Sequence, residues 1–119
     1  MEDCIFCKII KGEVKAHIIF EDDVCLAFTP LKPVVNGHML LVPKIHFENL
    51  FDIDDEVFKN LVFTGKKIAS DMIKENSATG INFLHASGKD AQQSVFHFHL
   101  HIVPRRPNDR LDLWVKSKL

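Results

Sequence analysis

His97, His99 and His101 alternate with Phe98, Leu100 and Ile102 in the run from Val95 to Val103, the stretch of this chain with the most chemistry in it. The period of two predicts a half-buried β-strand closed by Pro104, with all three imidazoles on one face. At ~3.3 Å per residue, neighbouring histidines stand ~7 Å apart and the outer pair ~13 Å. A single ion with Zn–N bonds near ~2.1 Å cannot gather all three from one straight strand. The row must therefore divide its labour. An imidazole with its ordinary pKa near ~6.5 is largely uncharged at neutral pH, so it can attack an electrophile without a separate base. On phosphorus, that attack gives a phosphohistidine-type intermediate and splits one displacement into two easier steps. Gln93, Ser94 and the backbone of the preceding polar loop offer donors for phosphate oxygens, and a protonated neighbour such as His101 can serve the leaving group. The competing reading is a strand face that is merely histidine-rich.

Two cysteines add a second constellation. Cys4 and Cys7 form Cys-x-x-Cys, half of a zinc site or a redox motif, whereas Cys25 in Val24-Cys25-Leu26-Ala27-Phe28 reads as a small buried hydrophobe. A thioredoxin-like motif would follow a strand in a βαβ unit, and none precedes Cys4. Zinc would need two further ligands, for which His17, His38, His46, His85 and the row itself are candidates. Neither a carboxylate cluster for two catalytic metals nor a Gly-x-Ser-x-Gly elbow is present.

The elements that must position these groups follow from the pattern. Cys4 to Ile10 reads as a short helical turn ended by Lys11-Gly12, and His17–Phe20 with Val24–Phe28 as a hairpin across Glu21-Asp22-Asp23. A Pro/Gly-rich loop leads to a third strand, His38–Val42, with His38 at its mouth. Asp52 or Asp54 can cap one long helix whose apolar positions, from Val57 to Ile73, recur at helical spacing to an end near Asn76. Gly65-Lys66-Lys67 inside that helix lacks the upstream glycines of a P-loop. Ile81–His85 is a fourth strand and the histidine run the fifth. The expectation is an α+β domain spanning residues 1–119: a five-stranded antiparallel sheet, one long helix and a short N-terminal helix.

With 119 residues, 46% hydrophobic and 26% charged, one globular domain with its own core is expected. No apolar run suits a membrane span or a signal segment, which predicts a cytoplasmic protein. The net charge of −1 and the lack of a long basic block argue against a large nucleic-acid surface. Arg105, Arg106 and Arg110 could serve a small phosphate ligand or form a solvated strand end.

The run Gln93-Ser94-Val95-Phe96-His97-Phe98-His99-Leu100-His101-Ile102-Val103 resembles the signature of the histidine triad nucleotide-binding family. Cys4-Ile5-Phe6-Cys7, Leu26-Ala27-Phe28, Gly37-His38, Pro43-Lys44 with His46, and Pro104-Arg105 extend that resemblance over almost the whole chain. It implies a homodimeric nucleotide hydrolase or phosphoramidase that cleaves at the α-phosphate of a purine nucleotide such as AMP or an adenosine phosphoramidate. His99 would be the catalytic nucleophile, with His101 and His38 in the network that orients the phosphate. Leu31, Ser87, Gln93 and Ser94 would join His99 and His101 in binding substrate. Cys4, Cys7, His46 and His97 would hold a structural zinc ion, a closed Cys₂His₂ set. Alternatives within the resemblance are a dinucleoside-polyphosphate hydrolase and a nucleotide-binding interaction module with incidental turnover. The chain departs from the pattern at Pro30, where many relatives carry a ribose-binding Asp, and at Ala86, where an Asn is common and Ser87 stands beside it as a substitute.

Overall fold

The computed structural model describes residues 3–75 and 78–116. Helix α1 (Ile5–Ile10) is followed by β1 (Ile18–Glu21), β2 (Cys25–Phe28), β3 (Met39–Pro43), the long helix α2 (Asp55–Glu75), β4 (Gly80–Leu84) and β5 (Leu100–Arg105). The strands form one sheet in the order β1-β2-β3-β5-β4, every pair antiparallel. The expected architecture is observed. The predicted end of α2 near Asn76 lies outside the described residues.

Local chemistry explains the elements. Asp22 turns the β1–β2 hairpin by accepting from the amides of Val24 and Cys25, both at 2.8 Å. Of the two candidate caps for α2, Asp54 is the one, its carboxylate accepting from the Val57 amide at 3.1 Å. Asp52 instead closes the preceding turn through the amides of Glu48 and Asn49. Gly65 lets α2 come close to the sheet, because a Cβ there would meet the Phe83 ring at 2.6 Å.

The strand alternation separates two apolar layers. Leu41, Phe98, Leu100 and Ile102 pack with Leu61 and Met72 of α2, while Leu26, Phe28, Leu40 and Val42 pack on the opposite side around Phe6 of α1. The histidines belong to the α1 side. Because both faces of the sheet are covered, the row is more buried than its pattern predicts: His97 is fully buried, His99 is 7% exposed and His101 is partly buried.

The fifth strand also begins later than predicted. β5 pairs with β3 through Leu41↔Leu100, Leu40↔His101 and Met39↔Ile102. Two steps further along, the residue opposite Phe98 would be Pro43, which has no N–H to donate, so the ladder stops. The Phe98 amide donates instead to the Phe47 carbonyl at 2.6 Å. His97 and His99 therefore stand on an irregular run before β5, while His101 and Pro104 lie within the strand.

Candidate active site

Each ring of the row is set by a different partner. The His97 Nε2–H donates to the Pro43 carbonyl at 2.8 Å, which leaves Nδ1 bare. That Nδ1 lies 3.3 Å from Cys4 Sγ and 3.5 Å from Cys7 Sγ, and His46 Nδ1 lies 3.4 Å from Cys7 Sγ. The four ligand atoms of Cys4, Cys7, His46 and His97 all fall within 4.8 Å of one another, a set that could hold a metal ion. Cys4 also caps α1, its sulfur accepting from the Cys7 amide.

His99 has the opposite tautomer. Its Nδ1–H donates to the His97 carbonyl at 2.8 Å, so Nε2 carries the free lone pair. Burial first, with His85 beside it, pulls its pKa below the ordinary 6.5 and keeps the ring uncharged at neutral pH. Phe6 meets the His97 and His99 rings edge-on at 5.7 and 5.2 Å, so α1 braces both.

His38 and His101 form a directed pair. The Val34 amide donates to His38 Nδ1 at 3.1 Å, which places the His38 proton on Nε2; this faces His101 Nδ1 at 3.0 Å. His101 then carries its own proton on Nε2. Burial, followed by the neighbouring His99 and His38, pushes the His101 pKa down to about 4, and burial lowers that of His38. Gly37, whose φ of +96° an L side chain rarely adopts, delivers His38 to this position by packing against Pro104.

A cavity of about 650 Å³, a size suited to a small-molecule ligand, opens over this face. His38, His99 and His101 line one part of it, with Ser94 and Val95; Phe6, Ile9, Phe28, Leu31 and Leu40 supply much of its apolar wall.

Similar proteins share both sequence and fold. A HIT domain profile matches residues 11–108. The chain belongs to the HIT-domain family. Protein hit of Bacillus subtilis is 43% identical over 87% of this chain and 72% of its own length. Adenylylsulfatase HINT3 of Arabidopsis thaliana is 35% identical over 98% of the chain and 58% of that protein. The crystal structure of a Zn-bound histidine triad family protein from Mycobacterium smegmatis superposes with a TM-score of 0.90, at 36% identity over 98% of this chain and 85% of that one.

Within this HIT-domain protein, His38, His99, His101, Ser94 and Leu31 share the cavity, whereas Gln93 and Ser87 are not part of its lining. The Gln93 amide is committed to the chain itself, donating to the Glu48 and Val95 carbonyls and accepting from the Gly88 amide. Ser87 accepts from the Leu50 amide at 2.9 Å and meets His85 Nε2. Arg105 is held by Asp109, Asn82 and the Leu111 carbonyl, and its guanidinium keeps the Asp109 carboxyl well below the usual range. That clamp closes the strand end and accounts for the arginine without a ligand.

His85, which the sequence offers only as one of several metal-ligand candidates, has a different place. Its Nδ1–H donates to the His99 carbonyl at 2.9 Å while its ring stacks on Phe98 at 4.4 Å, fixing the backbone that carries the free Nε2. Asparagine can place an N–H where Nδ1 stands; leucine cannot. His85→Leu is expected to lower kcat by about tenfold with KM little changed, as for a loss of near-attack geometry, and His85→Asn to recover most of it. Equal losses in the two variants, in steady-state assays on folded protein, would count against this role.

Proposed function

We propose that this protein is a phosphoramidase-type hydrolase cleaving at the α-phosphate of a purine nucleotide through a nucleotidyl adduct on His99. The observation that carries this reading is the bare Nε2 of an uncharged, pre-oriented imidazole lining a ligand-sized cavity beside a histidine with the opposite proton placement. The adenylylsulfatase name of the Arabidopsis relative supports an adenylyl group. The bridging nitrogen takes its proton from solvent, His99 Nε2 attacks phosphorus, and the P–N bond breaks to release a neutral amine, while neutral His101 donates its Nε2–H to a phosphoryl oxygen. His38 Nε2–H, donating to His101 Nδ1, fixes the tautomer that makes this possible. Water then attacks phosphorus, the P–Nε2 bond breaks, and the water proton passes to solvent.

The cluster of Cys4, Cys7, His46 and His97 fits zinc. Ideal tetrahedral bonds of ~2.3 Å to sulfur and ~2.1 Å to nitrogen put S and N about 3.6 Å apart, close to the separations of 3.3, 3.4 and 3.5 Å found here. The Pro43 carbonyl supplies the second-sphere hydrogen bond that orients a ligating histidine. With four protein ligands the ion would be structural, tying α1 to the run before β5. A homodimer is part of the same proposal, supported by the edge strand β4 and the exposed apolar side chains Val62, Ile73 and Phe83 beside it. No helix among the described residues is long and apolar enough to cross a membrane.

The deciding experiment is turnover of an adenosine phosphoramidate with acid-free quenching and peptide mass spectrometry. A nucleotidyl group on the peptide carrying His99 is expected. Tight AMP binding without turnover would favour the interaction module instead, and preferential cleavage of dinucleoside polyphosphates would favour a hydrolase of that class.

The pH dependence follows from the lowered histidine pKa values. A depressed pKa keeps the neutral, reactive form down to more acidic solution, so the acid limb of kcat/KM is expected below pH 6.5. Stability has the same sign. Unfolding returns His101 from about 4 towards its ordinary 6.5, so its contribution is complete above pH 6.5 and is lost as pH falls towards 4. An acid limb centred at or above 6.5 would contradict the buried, neutral row.

A further inference from the structure

The charge around the cavity is one-sided. Lys15, His17 and Lys32 line it together with the three site histidines, and no aspartate or glutamate is part of the lining. Among the described residues neither lysine is in an ion pair, since those found use Lys44, Lys59, Arg105 and Lys116.

The cavity reaches across several strands. Ile18, Phe28, Leu40 and His101 face one another in a row across four strands. At ~4.8 Å between neighbouring strands, the row places Ile18 roughly 14 Å from His101. Lys15 precedes Ile18, and Lys32 follows Phe28 on the loop whose far end delivers His38. A ligand seated at His99 and reaching across these strands would bring its non-reacting part towards Lys15 and the Lys32 loop.

The chemistry of that part can be read from the donor set. A free vicinal diol is held by a carboxylate that accepts from its hydroxyls, whereas a phosphorylated sugar is held by cations, the distinction by which dinucleotide sites separate their two ligand classes. Here the carboxylate is missing and the cations are present. The one hydroxyl on this side, Thr29 Oγ1, is engaged with His17 Nδ1 at 3.4 Å.

We propose that the cavity takes a nucleotide bearing a second phosphate on its sugar, with Lys15 and Lys32 as the groups that hold it. The proposal rests on the reading of this cavity as a nucleotide site. It is tested by calorimetric titration of the full chain, in its metal-bound form, with AMP, ADP, adenosine 3′,5′-bisphosphate and the 2′,5′ isomer, at roughly 50 mM salt so that screening is modest. One of the two bisphosphates is expected to bind about tenfold more tightly than AMP, and the double variant Lys15→Ala/Lys32→Ala to erase that advantage. ADP places its extra charge on the reacting side, so its gain over AMP is expected to be the same in both proteins.

Equal binding of AMP and both bisphosphates by the wild type would overturn the proposal while leaving the nucleotide site intact. So would a bisphosphate advantage that survives in the variant, or an ADP advantage lost in parallel, which would mark a general positive field. Failure of every nucleotide to bind would instead overturn the site itself, and this inference with it.

Discussion

Replacing His99 with alanine is expected to lower kcat/KM for an adenosine phosphoramidate by about 10⁴-fold or more and to abolish the nucleotidyl adduct. The size of the effect follows from the lack of a substitute. The lone pair of His97 faces two cysteine sulfurs, and the Nδ1 of His101 accepts from His38. Of the row and His38, only His99 has a ring nitrogen, Nε2, that is both unprotonated and without a partner. His101→Ala removes a hydrogen-bond donor to the phosphoryl oxygens and leaves the nucleophile in place, so about 10²–10³-fold is expected there. His99→Gln provides the same test should the alanine variant fold poorly. Turnover by a folded His99 variant within tenfold of the wild type would end the covalent reading.

Much of this arrangement is legible in the sequence because a period of two leaves few alternatives. Phe98, Leu100 and Ile102 could only point together into one layer, and the spacing of Val57, Leu61, Ile68 and Met72 identifies the helix that meets them. Strand geometry likewise separates the roles of the histidines, since one small ion cannot gather three ligands spread over ~13 Å of a single strand. The remainder depends on contacts between distant segments. The ladder ends before His99 because Pro43, over fifty residues earlier, would come to lie opposite Phe98. Gln93 reads as a phosphate donor by type and position and Ser87 as a substrate contact by resemblance, yet the folded loop commits their polar atoms to Leu50, His85, Glu48 and Val95. The place of His85 against the His99 carbonyl has a single local signal, a histidine at the end of the strand next to the triad. The one-sided charge of the cavity has none, because Lys15 and Lys32 are brought to it only by the pairing of β1 with β2.

Loss of the metal is expected to be the other large effect, in stability as well as activity. Purified protein should contain about one zinc ion per chain, and Cys7→Ser should contain almost none, because a structural site with a missing thiolate loses most of its affinity. Both the Cys4 and Cys7 sulfurs lie against His97 Nδ1, so without an ion two thiols crowd a buried ring that has one acceptor to offer. The consequence spreads through α1. Its six residues are too short to be stable alone, and Phe6 from this helix packs against both His97 and His99. Chelation should therefore loosen α1, lower the melting temperature by about 10 °C or more, and reduce kcat by removing the brace on the nucleophile. The core between α2 and the sheet contains none of the four ligands, so far-ultraviolet circular dichroism should retain the α2 and sheet signal at low temperature. Metal analysis and thermal melts of the wild type and Cys7→Ser, each with and without chelator, separate the outcomes. A wild-type protein free of zinc that melts at the same temperature as the loaded form would refute the structural role of the cluster.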